Sequence, residues 1–395
     1  MLNRSVHSLF SCNAFISKRY IQSVYTINPK TKAQEQEKQA CYLTKTIIKP
    51  GLPEVYSGKN VLIPESDRLS IIASIKNCVI ETNLFQREEK LKFTKWTGDR
   101  SKLRLTHKHH HSLSVPLLLN IFKVIWGSKC SRDAGLLLKN FSYRPDIAAP
   151  WERLGQKLQV TGKIGQLVSG NSLLPLFTED ISSSSNEILK WDDVISPFFD
   201  LHTYETKFLP RSGFHEGSPY PYPQTLLINN PFNWYTRYTT GQAIFYSFAH
   251  SLVFALNNGE EMGKDLKSPI PFQCISFDGD TFTFVCYQLN TLNFKDDSGT
   301  KNFAWISSEN KLYDNVREEI FPKDSVCKDK PSDCIEYIGK RVSLTDFNRK
   351  RLSESFEDEH IMQVFIDGYN NEAANMFLEF IFNTDKKALN MQTCT

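Results

Sequence analysis

The chain is poor in the local signatures that most enzymes and metal proteins carry. Nine cysteines are present, but none forms a CxxC pair, and the nearest two, Cys327 and Cys334, stand seven positions apart. Neither a zinc ribbon nor a regular disulfide framework is indicated, and reduced, buried thiols are expected, as in a cytosol or a mitochondrial matrix. The glycines of "GKIGQLVSG" (Gly162, Gly165, Gly170) lack both GxGxxG spacing and a GKS or GKT ending. They read as a turn and a strand rather than a phosphate cradle. There is no GxSxG elbow and no HExxH. A triad assembled from distant residues stays open on this ground.

Long apolar runs are missing as well. The two richest stretches, 114–126 and 243–256, carry Pro116, Lys123 or His250 inside them. They fall short of the roughly 20 residues a bilayer requires and read as buried helices. No membrane span, cofactor or small-molecule substrate is expected.

Acid is absent from the start of the chain, where the first acidic residue is Glu35. Before it come Arg4, Lys18, Arg19, Lys30 and Lys32, five serines, and apolar residues Leu2, Val6, Leu9, Phe10 and Ile16. No uninterrupted secretory h-region occurs, so an acid-free amphipathic start of this kind indicates a mitochondrial presequence over 1–24, with removal near Lys18 to Tyr20. A polar linker over 25–40 follows. Loss of Arg4, Lys18 and Arg19 from a formal charge of +3 would leave the chain nearly neutral.

What is present is an ordinary globular composition, 40% hydrophobic and 23% charged over 395 residues, enough for a sizeable core. "CYLTKTIIK" (41–49) reads as a strand, and Leu69, Ile72, Ile75 and Val79 repeat at helical spacing behind a Ser or Asp cap. Helices are expected near 68–82, 116–126 and 241–257. Asp278 and Gly279 interrupt an aromatic and β-branched run (272–292) as a tight hairpin turn needs, both with positive φ. The fold class expected is α+β, a mixed, largely antiparallel sheet with packed helices. A core over 41–322, with a possible division at the serine linker 182–186, precedes a divergent C-terminal extension over 323–395.

Two features point to contacts rather than chemistry. Residues 86–111 hold eight Lys or Arg against three acids and end in His107, Lys108, His109, His110 and His111. Adjacent histidines point in different directions and make a poor chelate, so the tract reads as a surface excursion able to meet phosphates, or as a solvated loop. RNA-contact candidates are Lys90, Lys92, Lys95, Arg100, Lys102, Arg104, His107, Lys108 and His109, with Lys340, Arg341, Arg349, Lys350 and Arg351 as a second patch. In "FHEGSPYPYPQTL", Pro219, Tyr220, Pro221, Tyr222 and Pro223 should form a stiff polyproline-like rod. These five, with Trp234 and Tyr235, are protein-interface candidates, against the alternative that the rings line the core. His215 beside Glu216, and Asp200 near His202, are read as turn residues before they are read as an acid–base pair.

"CYLTKT" with "GLP" (41–53), "ISPFFDLH" (195–202), "GFHEGSPYPYPQTL" (213–226) and "FVCYQLNTLNF" with "KNFAWISSENKLY" (284–313) occur in that order. In these stretches the chain resembles the family of mitochondrial ribosomal proteins that holds large-subunit protein thirty-seven and its sibling, protein thirty. The resemblance implies a non-enzymatic structural component of the mitochondrial large ribosomal subunit, supporting translation in the matrix. Its implied partners are ribosomal RNA and neighbouring proteins, including the sibling as a heterodimer. It brings no catalytic residues, and it fails in the histidine tract and beyond about 322. The rival readings are a matrix RNA-binding or assembly factor and a matrix enzyme using His202, His215 and Glu216.

Overall fold

The computed structural model describes residues 21–28, 36–56, 63–93, 107–133, 139–181, 187, 189, 191, 195–213, 217–230, 236–322, 334–337 and 360–382. In chain order come β1 (Ile21–Ile27), α1 (Gln36–Leu43), β2 (Thr46–Lys49), a single 3-10 turn at Glu54–Tyr56, α2 (Glu65–Phe93), α3 (His107–Gly127) and α4 (Lys129–Asp133). Strands β3 (Asn140–Tyr143), β4 (Asp146–Arg153), β5 (Gln156–Lys163), β6 (Gln166–Gly170), β7 (His202–Lys207), β8 (Arg211–Ser212) and β9 (Tyr222–Asn229) lead to α5 (Thr236–Asn257). Then follow β10 (Asp265–Phe277), β11 (Thr281–Thr291), β12 (Asn302–Lys311), β13 (Asn315–Pro322), β14 (Cys334–Tyr337), β15 (His360–Asp367) and α6 (Asn371–Phe382).

The class is α+β, as the sequence reads, but the strands form three sheets. A seven-stranded sheet runs β2-β12-β11-β10-β9-β6-β3, a five-stranded one β7-β1-β5-β4-β8, and a small one β13-β15-β14. Pairing is antiparallel except where β1 meets β5, β9 meets β10 and β2 meets β12. The seven-stranded sheet takes strands from both sides of the serine linker. That linker lies outside the described residues, and it does not divide the sheet.

Alternation along the central strands explains their continuous apolar run. Phe284 and Cys286 of β11 face one core, while Val285, Tyr287 and Leu289 face another. A sheet covered on both faces needs apolar residues at every position, which is why "FVCYQL" shows no polar alternation. On one face lies α5, buried along its length because it is wedged between the seven- and five-stranded sheets. A helix so enclosed is hydrophobic all round. The other face is covered by α2, α3 and α6.

Several boundaries differ from expectation, each for a local reason. Cys41–Leu43 close a helix instead of opening a strand. "QEKQACYL" is made of good helix formers, and the β-branched run starts only at Thr46. Lys45, at φ 53°, makes the break between them. The folded part begins before Cys41, since β1 lies between β7 and β5 and takes up residues 21–24 of the expected presequence and 25–27 of the linker. Residues 1–20 lie outside the described residues. Helix α2 continues to Phe93 and α3 starts at His107, so the two ends of the expected surface excursion are helical and Pro116 is internal.

The β10–β11 turn is right in place and different in mechanism. Only Gly279 takes a positive φ, 129°. Asp278 instead accepts the backbone N–H groups of Asp280 (3.3 Å) and Thr281 (2.9 Å) through its carboxylate. At Gly165 the chain leaves β5 in one sheet for β6 in another, with φ 67°. A Cβ there would lie 2.2 Å from the Leu227 carbonyl oxygen, so the corner requires glycine.

Beyond 322 the chain still contributes to the core. Val364, Ile366, Phe377, Leu378 and Phe380 join the cluster under α2 and α3. Gln273 of the central sheet donates to the Phe380 carbonyl and to Thr225 Oγ1 (2.6 Å), and accepts the Tyr56 hydroxyl (2.6 Å). The expected separation at 322 is therefore not a packing boundary for 360–382.

Candidate nucleic-acid and protein interface

The proline-rich stretch divides in two. Pro219 and Pro221 are exposed and Tyr220 is half-buried, with its N–H bonded to Ser218 Oγ at 3.3 Å. Tyr222 and Pro223 belong to β9, opposite Gly170 and Ser169 of β6, at a bulge that accommodates the missing proline donor. Pro223 is buried and the Tyr222 ring packs 5.5 Å from Phe254 of α5. The rod reading thus holds for at most three residues, and the last two serve the core. Trp234 and Tyr235 lie outside the described residues.

The basic candidates fall at the edge of what is described. Lys90 and Lys92 end α2, while His107, Lys108 and His109 open α3. Lys95, Arg100, Lys102, Arg104, Lys340, Arg341, Arg349, Lys350 and Arg351 lie outside the described residues. Helices α2 and α3 pack along their apolar sides, and Asn120 Nδ2 donates to Thr82 Oγ1 at 3.2 Å between them.

The acid–base candidates are not brought together. His202 is exposed on β7, an edge strand, with the Tyr204 ring 6.4 Å from its own. Asp200 is an exposed turn residue at φ 62°, and His215 and Glu216 lie outside the described residues. Among the described residues no group of His, Cys, Asp and Glu is placed to hold a metal ion, and no helix is long and apolar enough to cross a membrane. The Cys274 and Cys286 thiols are buried and unbridged, and burial pushes both well up in pKa, which keeps them protonated and unreactive.

Internal clamps use the strongest polar groups. Arg153, fully buried at the end of β4, donates to the carbonyls of Tyr42 (3.2 Å), Phe294 (3.1 Å) and Asp296 (2.8 Å), and to the Asp297 carboxylate. Lys45 Nζ donates to the Asn293 carbonyl at 2.9 Å. Together they lock the loop after β11 onto α1 and the β4–β5 hairpin. Nothing in the sequence marked Arg153, because its loop partners stand more than 140 positions away. The outer edge of the five-stranded sheet was also missed: β7 is exposed at every position but Thr206, with Tyr204 56% exposed and Ile21 of β1 43% exposed beside it.

A model of the family described as "Mitochondrial 28S ribosomal protein S30 (PDCD9)" matches residues 235–385, from α5 through α6 and past the expected limit at 322. "Large ribosomal subunit protein mL37" of Rattus norvegicus is 28% identical over 304 residues, 74% of this chain and 67% of that protein. The protein of the same name from Mus musculus is 27% identical over 303 residues, covering 73% and 66%. That from Gallus gallus is 30% identical over 179 residues, 43% and 42%. The chain spans about two thirds of the length of its rodent relatives. The family description and these names cite different ribosomal subunits; the large-subunit name accompanies the longer match.

Proposed function

We propose that this chain, a relative of the mitochondrial large-subunit protein mL37, is a structural constituent of the mitochondrial large ribosomal subunit. The observation that carries the reading is the match over 304 residues to a protein so named. A sheet covered on both faces and buried cations spent on internal carbonyls suit a rigid part better than a catalyst. No catalytic role is assigned. The exposed Pro219 and Pro221, with the half-buried Tyr220 between them, are offered to neighbouring proteins, the sibling family member among them, and the basic segments to ribosomal RNA. A presequence brings the chain to the matrix, with cleavage before Ile21, because Ile21 already pairs with Lys207.

Sedimentation of mitochondrial lysate in low and high salt tests this. A resident component stays with the large subunit at high salt. Release into the soluble pool, or presence on precursors alone, would instead mark an assembly factor. A free, soluble protein turning over a metabolite would mark an enzyme.

A further inference from the structure

The five-stranded sheet guards one of its edges and leaves the other open. At β8 the edge is two residues long, with Pro210 before it and Gly213, at φ 79°, after it. At β7 it is six residues long and pairs with β1 at six consecutive positions, from His202 with Thr26 to Lys207 with Ile21, without a bulge. Short edges, prolines and bulges keep further strands away, and β7 has none of them. We infer that β7 is the docking edge for an extended segment of a neighbouring protein, which adds to this sheet as a sixth strand. The inference rests on the ribosomal reading above and specifies one protein contact that it needs.

In an antiparallel ladder, successive residues turn their N–H and C=O groups alternately towards the neighbouring strand and away from it. Along β7, three of the six residues thus face β1 and three face outward, and among the described residues no strand lies on the outer side. The side chains agree: every position but Thr206 is exposed, so β7 adds almost nothing to the core and is held by one ladder. A second ladder gives the outward groups their partners.

The edge also sets the chemistry of what it accepts. Glu205 and Lys207, two positions apart, share one face of β7, with Ile21 of β1 43% exposed beside Lys207. Tyr204, 56% exposed, lies on the other face. Charges of opposite sign select a partner instead of repelling every one. A strand added antiparallel needs a base across from Glu205 and an acid across from Lys207, so it reads acid-x-base, with an apolar or aromatic residue near Tyr204. β7 itself reads Glu-x-Lys, and a second copy would fit that pattern. Area decides against it, because a six-residue edge falls far short of the roughly 1,200 Å² that a stable interface between free proteins buries. A segment of a protein already held in the same particle escapes this requirement, since its tether sets its effective concentration.

Hydrogen exchange, resolved to single residues by fragmentation in the mass spectrometer, compares the free mature chain with the same chain in purified mitochondrial large subunits. The expected result is that every second amide of 202–207, the set that exchanges fast in the free chain, slows about tenfold or more in the subunit. A variant carrying Glu205→Lys together with Lys207→Glu keeps the net charge, should melt like the unaltered chain because both residues are exposed, and should lose most of that slowing. Equal rates in the free chain and the subunit overturn the inference, and this comparison needs no variant. So does slowing of all six amides alike, which marks cover by RNA or by a protein surface other than a strand. Slowing in the free chain that grows with its concentration overturns it in favour of a second copy, and slowing that survives the charge exchange overturns the chemistry assigned to the partner. If the unaltered chain does not sediment with the large subunit, the ribosomal reading fails instead, and the two failures are told apart.

Discussion

Replacing Gly241 by alanine is the sharpest test of how the two halves of the central packing fit. Gly241 sits in the first turns of α5, where α1 crosses it. A Cβ at this position would lie 2.6 Å from the Gln36 carbonyl carbon and 2.7 Å from both Gln36 O and Glu37 N. Carbon atoms in contact prefer about 3.5–4.0 Å, so α1 would have to withdraw by roughly 1 Å, and no flexible side chain is available to give instead. That withdrawal pulls on everything α1 carries. Gln39 Nε2 donates to Pro197 O at 2.8 Å and Phe199 O at 3.2 Å, and Trp151 Nε1 donates to Leu43 O at 3.0 Å. Overpacking of this kind costs about 1–3 kcal/mol, and each hydrogen bond lost about 1 kcal/mol more. Against these stands a gain of about 1 kcal/mol for alanine over glycine inside a helix. The net expectation is a loss of about 2 kcal/mol, read as a lowered midpoint of urea unfolding followed by tryptophan fluorescence. Gly127→Ala is the control, since nothing lies within 4 Å of its added methyl group. It should be neutral or stabilising. A Gly241→Ala protein as stable as the Gly127→Ala one would mean that α1 is not held where it is described.

Three further outcomes are expected. Burial and the neighbouring Asp280 raise the Asp278 carboxyl to about 6. The folded state therefore holds that proton more tightly than the unfolded chain does, and stability falls as pH rises from about 4 through 6. Asp278→Asn, which keeps the turn acceptor, should be more stable by about 1–2 kcal/mol at pH 7.5 and by little at pH 4; equal gains at both would contradict this. Burial pushes His250, stacked on Phe272 at 5.4 Å, down to about 3. Here the unfolded chain takes the proton first, so stability is lost as pH drops below about 6.5. His250→Phe should flatten the acid limb of a pH series by up to about 4 kcal/mol, and parallel curves would speak against it. Finally, a chain starting at Tyr20 should melt like the mature protein, whereas one starting at Asn28 loses the strand that joins β7 to β5. Mass spectrometry of the mature N-terminus should find it before Ile21; a start beyond Ile27 would remove β1 from the functional fold.

The sequence by itself determined what local chemistry can decide. Alternating or continuous apolar runs and Asp278–Gly279 placed the β10–β11 hairpin, the 3.6-residue repeat placed the middle of α2, an apolar run placed α5, and the family motifs indicated a ribosomal relative. Tertiary structure alone decided which elements meet. Nothing local tells that the start of α1, at Gln36 and Glu37, will be seated on Gly241 of α5. Tyr222 and Pro223 read as a rod until β6 pairs with them. Arg153 carries no mark in the sequence, and its place is fixed only when a loop more than 140 residues away closes over it. Periodicity records which face of an element avoids water; it carries no record of which distant backbone will supply the covering.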